Sequence, residues 1–290
     1  MEPGYHNVNP FQEMILSGYS IHRHKNFSTA GLALWYFIGT AFFSAVYAAA
    51  FDIHWYYYKK QRSKVNMFIY TIRIPRIVHA MLGIIVAIPI MFITTDLIKD
   101  RYLILDMFVA VSGGYLIFDV FARYNEHIHV SEPHGTTITK AAIKNFLRTQ
   151  WKLLLHHLIM ASVIYPLILS YRNDQGDFIL ACILFTELTT PFTELQWIME
   201  HTLVPFNLRY VIISSLAVTT FLCSRLFIIP FVYEAYAIHM NISLYEVIEE
   251  LPLYYHAMAV SYIIPQVYWF CELCVKIYSY LFEQKVKKDK

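Results

Sequence analysis

The sequence predicts an all-α membrane protein, a bundle of about seven transmembrane helices. Of its 290 residues, 57% are hydrophobic and 15% are charged, whereas soluble domains hold about 45–50% apolar and about 25% charged residues. The mean hydropathy is +0.43. The apolar residues gather in long runs, and about 20 of them in a row let a helix cross a bilayer core of about 30 Å.

This composition excludes a disordered chain, a collagen, a coiled coil and a disulfide scaffold. It argues against a soluble enzyme, because one small core could not bury so many apolar side chains. The net charge of +2 provides no general basic field for nucleic acid. The four cysteines fall inside predicted spans and lack the spacing of a zinc site. We therefore expect neither a metal nor another bound cofactor.

Seven apolar runs are the candidate spans. They cover 30–51, 77–94, 103–122, 153–170, 178–199, 210–234 and 255–282. The third and fifth contain acidic residues, and an alternative with five or six spans would omit one or both. The chain then divides into a luminal N-terminal segment, a first membrane helix, a main membrane domain and a cytosolic tail, at 1–29, 30–58, 59–282 and 283–290.

The basic residues predict the orientation. Lys and Arg concentrate in 52–76, 123–152 and the C-terminal tail, and the alternate loops hold few of them. Cytoplasmic loops carry such an excess, so we expect a luminal N-terminus and a cytosolic C-terminus. The sequons at Asn26 and Asn241 are then luminal glycosylation sites, unless they are chance matches.

The C-terminus carries a candidate sorting signal. Lys287 and Lys288 precede the last two residues, which matches the di-lysine motif that the retrograde coat recognises. Such a motif is an address rather than an anchor. The alternative is a basic cluster beside acidic lipid headgroups. The signal predicts residence in the endoplasmic reticulum membrane, with cycling to the ER-Golgi intermediate compartment.

Ionisable residues inside spans are functional candidates by default, because burying a charge in lipid is costly. Glu187 and Arg225 should lie at similar depth on neighbouring antiparallel helices, so we expect a direct ion pair. The pair could be purely structural or could face a substrate cavity. Pro191 should kink the helix one turn beyond Glu187, as suits a cavity wall.

Four further polar residues lie near the cytosolic ends of their spans. They are His79, Asp119, His156 and His157, and we expect them to line one pocket. Neighbouring helical residues point about 100° apart, and we favour His157 as the more inward of the pair. A histidine beside a carboxylate can act as general base, or as a nucleophile that forms an acyl-imidazole. The alternative is a structural hydrogen bond between helices.

Five segments, in this order, resemble the TLC family (TRAM, Lag and ceroid-lipofuscinosis eight). They are 73–79, 114–119, 156–158, 187–192 and Arg225, and the resemblance extends over about 60–280. It implies a helical bundle around a lipid-sized tunnel. The family includes ceramide synthases, which use paired histidines to acylate a sphingoid amine from acyl-CoA. Those synthases carry a later His-Asp and Asp motif, where this chain has Glu187 and Pro191.

The resemblance assigns roles to the polar residues. The catalytic candidates are His156, His157, Asp119 and Glu187, and the substrate-binding candidates are Arg76, His79, Pro191 and Arg225. Acyl-CoA is the implied co-substrate, and membrane lipids are the implied partners.

Three functions stay open from the sequence. One branch of the family is associated with export of newly made lysosomal enzymes from the endoplasmic reticulum and with lipid homeostasis, including acyl transfer to phosphatidylglycerol. The first hypothesis is such an export protein, with soluble lysosomal enzymes as luminal partners. The second is an acyl-CoA-dependent lipid acyltransferase, and the third is a non-catalytic lipid sensor. A homodimer is left open.

Overall fold

The computed structural model describes residues 29–58, 70–131, 139–171, 175–201 and 208–288. All regular secondary structure in these residues is helical. The α-helices are α1 (Thr29–Tyr58), α2 (Arg73–Ile93), α3 (Leu103–Ser131), α4 (Lys140–Ile159), α5 (Tyr165–Tyr171), α6 (Asp177–Phe185), α7 (Thr190–His201), α8 (Leu208–Phe221), α9 (Ile228–Met240), α10 (Leu244–Glu250) and α11 (Leu253–Lys288). Two π-helical segments, Met160–Ile164 and Leu222–Leu226, and a 3₁₀ segment, Thr186–Thr189, interrupt them.

Among the described residues, seven helical stretches are long and apolar enough to cross a membrane. They are Ala30–Tyr57, Arg73–Ile93, Leu103–His129, Lys140–Ser170, Asp177–Glu200, Leu208–Leu226 and Leu253–Tyr280. The third and fifth predicted runs are among them, so the predicted all-α architecture with seven spans is confirmed. The chain is a polytopic membrane protein.

Two helical stretches begin or end away from the predicted boundaries. The fourth begins at Lys140 rather than at 153, because the Thr139 side chain caps the helix by accepting a hydrogen bond from the Ala142 amide at 3.0 Å. The sixth apolar run breaks at Phe227, after which α9 begins. Hydropathy alone misses both features, because neither depends on the number of apolar residues.

The backbone contacts divide the chain into two compact units. The first comprises Met1–Ser44, Val86–Phe121 and Thr139–Ala181, and the second comprises Ala45–Ile85, Ala122–Ile138 and Cys182–Lys290. In the first unit, α1 packs closely on α3. A Cβ at Gly114 would come within 2.2 Å of the Tyr36 carbonyl oxygen, and one at Gly39 within 2.2 Å of the Val111 carbonyl oxygen. The Thr40 hydroxyl donates to the Gly114 carbonyl at 3.0 Å in the gap so formed.

A buried ionic network closes one end of the first unit. Arg101 donates to Asp106 at 2.7 Å, and the Tyr102 amide donates to Asp177 at 2.5 Å. Both carboxylates and the guanidinium are buried. The network fixes the chain that connects α2 to α3 against the first turn of α6.

The second unit holds a comparable cluster where α7, α8 and α11 meet. The Glu200 carboxylate accepts from the Tyr210 hydroxyl at 2.9 Å and lies 2.9 Å from the Lys276 ammonium. Gln196 donates to both Glu200 and Tyr210. These contacts pair a charge that would otherwise be unfavourable at this depth.

Candidate functional site

His157 and Asp119 form the first candidate site, within the first unit. His157 lies on α4 and Asp119 on α3, and their side chains approach with Nδ1 3.5 Å from Oδ2. Asp119 is 1% exposed and His157 is 8% exposed, whereas the neighbouring His156 is exposed. The prediction that His157 is the more inward histidine is therefore confirmed.

A π-helical segment begins directly after this histidine pair. The Met160 amide bonds to the carbonyls of both His156 and His157, and the Tyr165 amide bonds five residues back to the Met160 carbonyl. The next residue, Pro166, has no amide proton to donate to the Ala161 carbonyl, which accepts the Tyr36 hydroxyl of α1 at 2.7 Å. Such segments are frequent at functional sites. Here the segment fixes the helix one turn beyond His157.

Glu187 and Arg225 lie in a second polar cluster, within the second unit. They do not form the predicted direct ion pair. Among the described residues the Thr190 hydroxyl stands between them, donating to Glu187 at 2.7 Å while its oxygen accepts from Arg225 at 3.5 Å. The prediction was correct about proximity and wrong about the contact, because depth along a helix does not fix which side chain faces which.

Pro191 explains the backbone of this cluster. Proline has no amide proton, so the Glu187 carbonyl cannot accept its usual partner four residues on. The Thr190 amide bonds to the Glu187 carbonyl instead, which tightens 186–189 into a 3₁₀ turn. The Arg225 Nε donates to the Thr186 carbonyl at the start of this turn at 3.1 Å. The predicted kink is therefore a tightened turn that presents a backbone carbonyl to arginine.

Arg225 itself lies in the second π-helical segment of the described chain. Its Nη1 contacts the Gln266 side-chain oxygen at 3.5 Å, and the Phe221 ring lies 5.4 Å from its guanidinium carbon. Tyr262 is an electrostatic neighbour of both Arg225 and Glu187. Sequence reasoning missed Gln266, although an amide inside a largely apolar and aromatic span is a visible signal.

Arg76 belongs to a third cluster, again within the second unit. Glu194 on α7 accepts from Arg73 at 2.8 Å and lies 3.3 Å from Arg76, so one carboxylate serves two arginines, of which Arg76 is buried and Arg73 is partly exposed. The Trp197 ring lies 3.8 Å from the Arg73 guanidinium carbon, and Glu126 lies 3.8 Å from Arg73. The sequence analysis missed Glu194, which follows Glu187 by two helical turns and faces the same general direction.

His79, the remaining pocket candidate, is buried on α2 in the second unit. It follows Arg76 by three residues and so shares a helix face with it. Its predicted role in binding substrate stays a prediction, as does that of Arg76.

The predicted glycosylation sites and the predicted sorting signal lie partly outside the described residues. Asn26 does so entirely, and Lys287 and Lys288 are described only as the end of α11. Asn241 is exposed and adopts a left-handed conformation with φ 55° after α9. Ser243 caps α10 by accepting from the Glu246 amide at 3.2 Å. Asn and Ser are therefore each suited to a structural role there, whether or not the sequon is used.

No group of metal-binding side chains occurs in the part of the chain that the structure describes. All four cysteines are free, and only Cys182 is buried.

A model of the TLC domain matches residues 70–275. The chain belongs to the TLC-domain family. The matched region contains all three clusters and both π-helical segments. No solved structure matches the chain.

Proposed function

We propose that this TLC-domain protein is an acyl-CoA-dependent lipid acyltransferase whose general base is His157. The observation that carries the proposal is the approach of His157 Nδ1 to Asp119 Oδ2 at 3.5 Å, with both side chains buried inside candidate spans. A buried carboxylate at this depth is costly unless a partner offsets it. A histidine partner stabilises the Asp119 carboxylate and can also act as a general base.

The contact favours one tautomer of the imidazole. In the tautomer that carries its proton on Nδ1, that proton can be shared with the Asp119 carboxylate, and Nε2 is the basic nitrogen of the ring. Nε2 can then take the proton from the hydroxyl or amine of an acceptor lipid, and Asp119 stabilises the imidazolium that forms. Contacts of this length are common before substrate is bound and shorten in the reacting complex.

The proposed transfer is an ordinary acyl substitution. The acceptor oxygen or nitrogen attacks the thioester carbonyl of acyl-CoA, the carbon–sulfur bond breaks, and His157 returns its proton to the CoA sulfur. In the alternative route His157 Nε2 attacks first, and an acyl-imidazole then passes the acyl group to the lipid. Both routes require the same pair of side chains.

The two adjacent histidines provide the test and its control. We expect labelled acyl-CoA to yield a labelled lipid in membranes that contain the wild-type protein and not in empty membranes. His157→Ala should lower that rate by about 10²–10⁴-fold, the contribution of a positioned acid–base group. His156→Ala removes the same ring from the exposed neighbouring position and should leave the rate within about twofold of wild type.

Equal losses in both variants at matched expression would show that the buried contact is not the site of chemistry. Loss in His156→Ala alone would place the chemistry at the exposed ring. If no labelled lipid appears above empty membranes, transfer is excluded for the acyl-CoA supplied, and the non-catalytic lipid sensor becomes the better account.

A second candidate function is export of lysosomal enzymes, the association of the ceroid-lipofuscinosis eight branch, which this chain resembles. The observation that favours it is the surface around α10. Tyr245 and Leu253 are 69% and 81% exposed there, and the sequence from 226 to 275 contains neither Lys nor Arg. Exposed aromatic and apolar side chains among acidic residues suit a protein partner.

The export function, unlike acyl transfer, requires the protein to cycle out of the endoplasmic reticulum, so its location in the cell is the first test. We expect Lys287→Ser with Lys288→Ser to move the protein toward the Golgi, since the di-lysine address would be lost. Tyr245→Ser should weaken crosslinking to luminal enzymes without moving the protein. Unchanged residence and unchanged crosslinking would leave the export function without support.

A further inference from the structure

We propose that Arg225 is a binding site for the oxyanion of an acidic membrane lipid, either a carboxylate or a phosphate. The proposal is independent of acyl transfer, because Arg225 and its contacts belong to the second unit, whereas His157 and Asp119 belong to the first. Either can fail while the other stands.

The first observation is that the guanidinium is incompletely satisfied. It has five N–H donors, and its contacts with described residues are with Thr186, Thr190 and Gln266. Only the bond to Thr186, at 3.1 Å, has an ordinary length. The other two, both at 3.5 Å, are at the outer limit for a hydrogen bond. Donors on both Nη atoms therefore remain for a further acceptor.

The second observation is that no described carboxylate lies within ion-pair distance of Arg225. Glu187 is the nearest candidate, and its carboxylate is engaged by the Thr190 hydroxyl at 2.7 Å. A charged side chain inside a membrane span normally pairs with an opposite charge. Arg225 instead contacts three neutral oxygens, so a negative charge from outside the described chain would complete it.

The third observation is that the guanidinium is held in place and partly exposed. Its Nε is fixed to the Thr186 carbonyl, and Thr186 lies about 14 Å along the span that begins at Asp177, at 1.5 Å per residue. Because Nε is occupied, the donors that remain lie on the two Nη atoms, whose contacts with Gln266 and Thr190 are long. Two N–H donors of a guanidinium match the two oxygens of a carboxylate or phosphate. Because the site lies inside a candidate membrane span, we expect the anion to arrive as the headgroup of a lipid.

The test compares two probes on purified protein in a neutral detergent. One arm measures equilibrium binding of radiolabelled oleate, and the other that of radiolabelled phosphatidic acid. Arg225→Gln should weaken binding by about tenfold or more in at least one arm, since it removes the charge and the fork. Arg225→Lys should weaken binding less, because it keeps the charge and loses the fork. The arm that responds identifies the headgroup.

The control removes the same charge from an exposed position on α8. Arg209→Gln should bind both probes as wild type does. Glu187→Gln is a second control, because it is expected to increase binding, which misfolding would not do. It removes a nearby negative charge that competes with the anion for Arg225. It should tighten anion binding by at least about twofold.

Binding by Arg225→Gln equal to wild type in both arms would overturn the proposal. Equal weakening in Arg209→Gln would also overturn it, because the attraction would then be general rather than local. Unchanged binding in Glu187→Gln would show that Arg225 is not close enough to the anion for that carboxylate to compete.

Discussion

His156 and His157 are adjacent in sequence, yet α4 turns one outward and the other onto Asp119. The turn of about 100° between neighbours is a property of the helix, so the sequence could predict that only one histidine faces inward. The apolar pattern favoured His157 only slightly, because the two histidines straddle it. It could not predict the 3.5 Å approach to Asp119, because that depends on the rotation of α3.

Glu187 and Arg225 show the limit of the same reasoning. Their depths could be estimated from the sequence, and the two side chains do share a cluster. The contact between them runs through Thr190, since a hydroxyl one turn from Glu187 reaches both groups. Positions along helices can therefore predict which side chains lie near each other, but not which of them are in direct contact.

Glu246 carries a residue-scale prediction. A hydrogen bond from the Ser243 backbone amide and, second, the interaction with the Ser243 hydroxyl lower the pKa of its carboxyl below its ordinary 4.5. A lowered pKa in the folded state stabilises α10 above the unfolded pKa, and that stability is lost as the pH falls through the folded pKa. We expect Ser243→Ala, which removes the cap hydroxyl, to raise the pKa toward 4.5. NMR titration of glutamate-labelled protein measures the shift, and an unchanged or lower pKa would contradict the capping box.

At the scale of elements, irregular helical segments coincide with the polar sites. The Met160–Ile164 segment follows His157, the Leu222–Leu226 segment contains Arg225, and the 3₁₀ turn contains Glu187. Pro191 allowed a distortion near Glu187 to be predicted from the sequence. The two π-helical segments contain neither proline nor glycine, but Pro166 follows the first by two residues and Pro230 follows the second by four. A proline so close is a local signal for an irregular helix, although it does not predict the π-helical form.

The packing of α1 on α3 carries an element-scale prediction. Gly114→Ala should destabilise the protein by about 1–3 kcal/mol, the usual cost of overpacking. Its Cβ would meet backbone atoms, at 2.2 Å from the Tyr36 carbonyl oxygen. Gly113→Ala should cost less, because its Cβ would meet the Tyr36 ring, which can move. Thermal unfolding of both variants in detergent measures the difference, and equal melting temperatures would contradict the close approach of the two backbones.

At the scale of the whole molecule, composition and hydropathy were sufficient to predict the fold class. Spans are set by runs of apolar residues, which are local in sequence. The sites lie between spans, and their contacts join residues up to 125 positions apart, as between Tyr36 and Ala161. Those contacts depend on how each helix is rotated and where it is distorted, which a single sequence leaves open.

Orientation in the membrane is a prediction at this scale. If 241–243 is luminal, Asn241 should carry a glycan that a glycosidase removes, with a matching shift in mobility. Asn241→Gly abolishes the sequon and keeps a residue that tolerates φ 55°, so it should lose the shift without losing the fold. Absence of any shift in the wild-type protein, with 241–243 accessible to a cytosolic labelling reagent, would reverse the orientation.

The central claim is that His157 and Asp119 act as one unit in acyl transfer. The most direct measurement is a double-mutant cycle on the initial rate of label transfer from acyl-CoA. Asp119→Asn alone should reduce the rate strongly, because the amide cannot stabilise the imidazolium. Asp119→Asn combined with His157→Ala should then be no slower than His157→Ala alone. Losses that multiply, or an Asp119→Asn variant as fast as wild type, would contradict the account.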